Sequence, residues 1–286
     1  MSGAVDLSLD SLVKQALTED LGQRGDITSQ AIFNKGVCTH AVVQSKARGV
    51  LSGVKLLEPL FHSLDKSTTI NVVCESGSAL EPGSRIGELD GPVRAILAGE
   101  RVALNFLQHL SGVATATRLL AAKIAHTRAK LLDTRKTTPL LRALEKEAVV
   151  HGGGINHRFG LFDMILIKHT HVKAAGGVAA AVRKAQAFVK QSRLAVKIEV
   201  EAQTLREFEE ALACTPHRIM LDNMNIADMA ACVNRARTSA PGIELEASGN
   251  VTAETIVAIA ETGVDFISVG AITHSAPAVD MHLVIE

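Results

Sequence analysis

Short apolar runs recur through the second half of the chain, and each ends in polar or small residues. They read "KLLDTRK", "MILIK", "VKIEVE", "RIMLDN", "IELEASGN" and "DFISVGA". Alanine-rich stretches with helical spacing, such as "AAAVRKAQAFVKQSR" and "IADMAACVNRAR", separate several of them. Strand and helix in alternation predict parallel βαβ units. Six or seven such units suit a closed or nearly closed α/β barrel, with an open doubly wound sheet as the alternative.

The first part of the chain has a different texture. Leu9, Leu12, Val13, Ala16 and Leu17 predict a leading helix within residues 1–20. From about residue 36 to 90, β-rich runs punctuated by Gly, Pro and Ser predict strands and turns. "PVRAILAGERVALNFLQHLSG" then predicts a long helix that Ser111-Gly112 interrupts. The expected domains are therefore 1–111 and 112–286, with the C-terminal tail packing back on the first.

The strand exits carry the candidate chemistry. In order they present Asp133/Arg135/Lys136, Lys168, Glu199/Glu201, Asp222, Ser248-Gly249 and Gly270. Barrel sites collect side chains from the carboxyl ends of several strands. One polar exit is what any strand needs, but six in succession point to a shared site. Arg135 offers a planar fork for carboxylates and Lys136 a point charge for phosphate. "HGGGINHRFG" adds a loop that a ligand can approach closely, followed by His157 and Arg158. "EASGNV" and "SVGAITHS" are small-residue turns of the kind that bind phosphate through backbone N–H groups. Glu199, Glu201 and Asp222 suit a divalent cation or ribose hydroxyls. His169 and His171 would share a face on a strand, but Lys168 beside them repels a cation, which disfavours zinc.

Composition narrows the classes. Thirty basic residues balance thirty acidic ones in 286, so no bulk basic field supports nucleic-acid binding. Tyr and Trp are absent, leaving only Phe to stack bases. The four cysteines lie far apart without a C-x-x-C pair, the pattern of reduced core thiols. No basic-then-apolar leader opens the sequence and no run of about 18 apolar residues occurs. A cytoplasmic protein without membrane or nucleic-acid partners is expected.

Taken as a set, "EDLGQRGDIT", "GERVALNFLQHLSGVAT", "LLDTRKTTP", "HGGGINHRFGL", "LIKHTH", "IMLDN", "EASGNVT" and "TGVDFISVGAITHS" resemble the quinolinate phosphoribosyltransferase family from about residue 19 to 275. The resemblance implies an N-terminal α/β open-faced sandwich and a C-terminal irregular, incomplete α/β barrel. It implies transfer of phosphoribosyl from phosphoribosyl pyrophosphate (PRPP) to quinolinate with decarboxylation, dependent on Mg²⁺. It also implies a homodimer whose sites are shared between subunits. Arg135, His157, Arg158 and Lys168 would surround the quinolinate carboxylates, with Arg101 arriving from the partner subunit. Lys136, beside Thr134, would lie between the substrates, and Glu199 and Asp222 would face the ribose and Mg²⁺. Ser248, Gly249, Asn250, Gly270 and Ala271 would cradle the 5′-phosphate, with His274 alongside.

The chain departs from the family pattern at His169 and Thr170, at Leu140 where Gly is usual, and at Glu147 where Tyr is common. All the ligand-facing cations are present. Two other readings remain: a phosphoribosyltransferase that uses nicotinate without decarboxylation, and a non-catalytic phosphate- or metal-binding barrel.

Overall fold

The structure is a computed structural model and describes residues 8–286; the start of the expected leading helix, residues 1–7, lies outside them. The chain divides into two compact units. The first comprises residues up to Ala116, Thr138–Gly152 and Ser275–Glu286; the second comprises Thr117–Thr137 and Gly153–His274.

In the first unit, helix Leu9–Leu21 starts where Ser8 Oγ accepts the Ser11 N–H, a side-chain N-cap, and it buries Val13 and Leu17. The strands are β1 (Cys38–Ser45), β2 (Gly49–Val50), β3 (Thr69–Val72), β4 (Ala79–Leu80) and β5 (Arg85–Pro92). β1, β5 and β3 form an antiparallel sheet, and β2 pairs with β4. The C-terminal strand Met281–Ile285 pairs antiparallel with the free edge of β1, with Ala41 opposite Ile285. Adding this strand satisfies backbone groups that β1 would otherwise expose. Helix Leu57–Leu64 buries Leu57, Leu60 and Phe61, and Leu57 packs against Gly87 on the face of the sheet that also carries Ala41, Val43 and Leu89.

The long helix differs from the expected one. It runs unbroken from Val93 to Lys123, straight through Ser111-Gly112. The glycine serves close packing rather than termination: a Cβ on Gly112 would lie 2.3 Å from the Pro277 carbonyl oxygen. One glycine inside a helix costs only about 1 kcal/mol, so the well-buried turns on either side carry the helix across it.

The second unit holds β6 (Lys130–Leu132), β7 (Ile165–Ile167), β8 (Ile198–Ala202), β9 (Arg218–Asp222), β10 (Glu244–Ser248) and β11 (Phe266–Ser268). All pair in parallel in the order β6-β11-β10-β9-β8-β7. Each strand matches one of the apolar runs read from the sequence. β6 and β7, consecutive in the chain, stand at opposite edges and do not pair, so the barrel is incomplete. A single bridge from Leu132 to Ile155 brings the glycine-rich segment alongside β6.

Helices Val178–Ser192, Leu205–Ala213, Ile226–Ser239 and Ile256–Glu261 follow strands or intervene between them. Thr204 and Asn225 cap two of these helices by accepting the N–H groups of Glu207 and Asp228. Among the described residues, no helix is long and apolar enough to cross a membrane. All four cysteines are free, but only Cys232 is buried; Cys38 is exposed, so the expected set of four core thiols does not form.

Candidate active site

The carboxyl ends of β6–β11 open into two cavities of about 340 and 540 Å³. Thr134, Lys136, Asp222, Ser248 and Ser268 line both, so the two are lobes of one site.

The first lobe is cationic. Arg135, Lys136, Arg158 and Lys168 line it, together with His157, Glu201, Leu166 and Met220. Arg158 is steered by a bond from Nη1 to the Met164 carbonyl, 3.0 Å. Its loop is folded around Asp163, whose carboxylate accepts the N–H groups of Phe159 and Gly160. Burial, then the neighbouring Arg135 charge, pushes the Arg158 pKa below its usual value. Cations crowded in this way favour an anionic ligand with more than one negative group.

The second lobe is built from loops. It is lined by Asn223, Gly249, Asn250, Val251, Val269, Gly270, Ala271 and His274. Asn223 donates its N–H to the Ser248 carbonyl at 2.8 Å, and its Oδ1 accepts from Asn250 Nδ2 at 3.1 Å. The Asn223 amide lies so close to Gly249 that a Cβ there would fall 2.1 Å from Oδ1. Lys136 is fastened between the lobes: its N–H donates to Thr134 Oγ1, and its carbonyl accepts from Thr273 Oγ1 at 2.7 Å. A concavity of small residues and main-chain groups beside a lysine suits a phosphate.

The floor of the first lobe, which Glu246 lines, rests on a layer of buried ionisable groups. Glu199, Arg218 and Glu246 stand on the barrel-facing sides of β8, β9 and β10; the two glutamates have no solvent exposure and Arg218 is 8% exposed. Arg218 Nη1 donates to Glu246 Oε2 at 2.9 Å, Nη2 donates to Glu244 at 3.0 Å, and the guanidinium stacks on Phe266 at 4.0 Å. His157 Nε2 lies 3.1 Å from Glu199 Oε2 and 3.4 Å from Glu246 Oε2. Its Nδ1 accepts the Arg158 N–H at 2.6 Å, which places the ring proton on Nε2, facing the carboxylates. Burial, followed by the Glu246 charge, raises the Glu199 pKa to about 7. Burial alone would raise Glu246 too, but His157 and Arg218 outweigh it and hold Glu246 below its ordinary value. His157, Glu199 and Glu246 have the composition of a metal site, yet a protonated Nε2 cannot be a ligand and Arg218 already supplies the countercharge.

These positions sort the residues expected from the sequence. Thr134, Arg135, Lys136, His157, Arg158, Lys168, Asp222 and Ser248 line the first lobe, and Gly249, Asn250, Gly270, Ala271 and His274 the second. Glu199 does not reach either lobe. Glu201, two residues on along the same strand face, lines the first lobe. The period-two rule puts both on one face, and proximity to the strand's carboxyl end singles out Glu201. His157 lines the lobe, but its ring nitrogens are engaged with Arg158 and the buried layer rather than being open to a carboxylate. Arg101 belongs to the first unit, where it lines a separate cavity of about 220 Å³ with Glu19, Asp20, Asn105 and His109. His169 and His171 lie not on a strand but in the first turn of helix His169–Ala175. His171 Nδ1 accepts the Lys168 N–H at 2.9 Å, which supports the helix start.

Two family models match the chain: Quinolinate phosphoribosyl transferase, N-terminal domain, over residues 26–111, and the corresponding C-terminal domain over residues 113–284. A chloroplastic carboxylating nicotinate-nucleotide pyrophosphorylase from Arabidopsis thaliana is 40% identical over 290 residues, covering 97% of this chain and 83% of its own. A Bacillus subtilis protein described as a probable carboxylating nicotinate-nucleotide pyrophosphorylase is 40% identical over 277 residues, covering 97% and 93%. The solved structure of the nicotinate-nucleotide pyrophosphorylase from Francisella tularensis superposes with a TM-score of 0.91 at 42% identity, covering 97% of this chain and 96% of that one.

Proposed function

The chain belongs to the quinolinate phosphoribosyltransferase family, and from that premise we propose that its two-lobed site joins quinolinate to the phosphoribosyl group of PRPP. The products are nicotinate mononucleotide, pyrophosphate and CO₂, a step in de novo NAD synthesis. The observation that carries this reading is the junction of the lobes: a crowd of cations on one side, small-residue phosphate loops on the other, and Lys136 and Asp222 common to both.

Quinolinate brings two adjacent carboxylates, which Arg135, Arg158 and Lys168 can offset. The 5′-phosphate of PRPP fits the loops at Ser248–Asn250 and Gly270-Ala271. Two anionic substrates held in adjoining lobes bring the ring nitrogen against the anomeric carbon without paying their mutual repulsion at the moment of reaction. Lys136 sits where pyrophosphate departs. Glycosylation makes the ring nitrogen positive, and that charge stabilises the carbanion left at C2 when its carboxylate leaves as CO₂; a proton from water then completes the C2–H bond of the product. The protein's part is to position and partly desolvate these groups, with no covalent nucleophile.

Mg²⁺ accompanies PRPP in this proposal, and Asp222 and Glu201 would hold it, directly or through water. Both are hard oxygen donors at strand ends lining the first lobe, whereas Glu199 is buried beneath it. The ion would neutralise charge on the departing pyrophosphate. We place Arg101 in the site of a partner subunit, as its own cavity in the first unit leaves it exposed. The proposed location is cytoplasmic.

Turnover of quinolinate and of nicotinate, each with PRPP and with CO₂ release followed, tests the reaction. Release of CO₂ from quinolinate in step with nucleotide formation is expected. Equal turnover of nicotinate without CO₂ would replace this reading with the non-decarboxylating one, which the crowd of cations disfavours because nicotinate has one carboxylate to satisfy.

A further inference from the structure

Asp222 and Glu201, two of the acids that line the first lobe, stand at the ends of adjacent parallel strands, and each takes one hydrogen bond from a neutral donor. The Glu201 Oε2 accepts the main-chain N–H of His169 at 2.7 Å. The Asp222 Oδ2 accepts the side-chain amide of Gln203 at 2.9 Å. Gln203 follows β8 directly, and the register of Ala202 with Leu221 brings it beside Asp222.

Gln203 is exposed, and a free glutamine on a surface loop would sample many rotamers. Its backbone is fixed by the start of the next helix. Thr204 Oγ1 accepts the Glu207 N–H at 3.2 Å, and Glu207 Oε2 reaches back to accept the Gln203 N–H at 2.8 Å. This reciprocal arrangement has the logic of a capping box. The other Glu207 oxygen lies 3.9 Å from His169 Nδ1, so the same carboxylate stands between the donors that serve the two rim acids.

The choice of an amide has a chemical consequence. A lysine or arginine at this place would fix Asp222 and also cancel its charge. A glutamine fixes one oxygen and leaves the negative charge for a ligand hydroxyl or cation. The second Asp222 oxygen has no hydrogen-bond partner among the described residues.

We propose that Gln203 is a positioning residue, which holds Asp222 through its side-chain amide so that the remaining carboxylate oxygen is presented to the ribose hydroxyls of PRPP. This rests on the phosphoribosyl-transfer reading of the site, but it concerns PRPP binding and can be tested apart from turnover.

The test uses the full chain with Gln203→Met, Gln203→Glu, Asp222→Ala and the Gln203→Met/Asp222→Ala pair. PRPP and quinolinate affinities are read by calorimetric titration, and KM and kcat by turnover. Gln203→Met, equal in length but without the donor, should weaken PRPP binding about three- to tenfold. Quinolinate affinity and Tm should stay unchanged. Gln203→Glu, which sets a carboxylate against Asp222, should weaken PRPP binding more than Gln203→Met does. In the Asp222→Ala background, Gln203→Met should add less than about a twofold loss, because the acceptor it would address is already gone. The proposal is overturned if Gln203→Met leaves PRPP affinity unchanged, if Gln203→Glu is the milder variant, or if the Met effect is equally large without Asp222. If the unaltered chain binds PRPP but fails to turn it over with quinolinate, the reaction assigned above is wrong, and the PRPP titrations still decide the role of Gln203.

Discussion

His157 Nε2 lies 3.1 Å from Oε2 of Glu199, a carboxylate with no solvent exposure. Burial makes this acid harder to ionise and raises its pKa from 4.5 to about 7. A group that holds its proton more tightly in the folded state stabilises the fold below the unfolded pKa. That contribution is lost as pH rises through the folded value. The window here is about pH 4.5 to 7. Thermal melting across about pH 5 to 8 should show Tm falling with rising pH, and Glu199→Gln, which imitates the neutral acid, should flatten that slope.

Arg218 is the countercharge for Glu246, and replacing it with Met would leave a buried glutamate uncompensated. Breaking a buried pair from one side costs about 3–5 kcal/mol. Denaturant unfolding of Arg218→Met should show a loss of that size. A loss below about 1 kcal/mol would mean that His157 and solvent, not Arg218, neutralise the layer.

Gly249 has φ +96°, and the Asn223 amide occupies the space where a side chain would begin. Gly249→Ala should therefore displace Asn223 and distort the second lobe. A fall in PRPP affinity of tenfold or more, with quinolinate affinity retained, is the expected result in paired titrations.

Leu140 adopts φ +68°, a left-handed conformation unfavourable for a branched side chain, and it is 62% exposed. With most of its side chain in solvent, burial offsets little of that strain. Leu140→Gly should raise stability by about 0.5–1 kcal/mol, the relief of strain less the entropy a glycine adds to the unfolded chain. Equilibrium unfolding would detect the gain.

Arg135→Ala should weaken quinolinate binding strongly with Tm unchanged, and so should Arg101→Ala if a partner subunit supplies it. Mixing the two inactive variants should then restore part of the activity, since some dimers would carry one intact site. Absence of recovery in verified mixed dimers would remove Arg101 from the shared site.

Much of the second unit was legible in the chain itself. The apolar runs at 130–132, 165–167, 198–202, 218–222, 244–248 and 266–268 are the parallel strands: β7 is apolar throughout, as a strand covered on both faces tends to be, while β8 and β10 alternate apolar residues with glutamates on the barrel-facing side. Their polar exits are the lobe walls, because functional side chains gather at the carboxyl ends of such strands. Where packing rather than pattern decided, the sequence was silent. Ser111-Gly112 looks like a helix stop, yet a close approach by Pro277 explains the glycine and the helix continues. Glu199 and Glu201 are equivalent in spacing, and only the depth of each along β8, relative to Arg218, Glu246 and His157 on other elements, makes one a buried acid and the other a wall of the site. The Gln203–Asp222 bond likewise depends on the register of β8 against β9. Alternation along one strand fixes which way a side chain points; what it meets there is set by neighbours that the chain brings in from elsewhere.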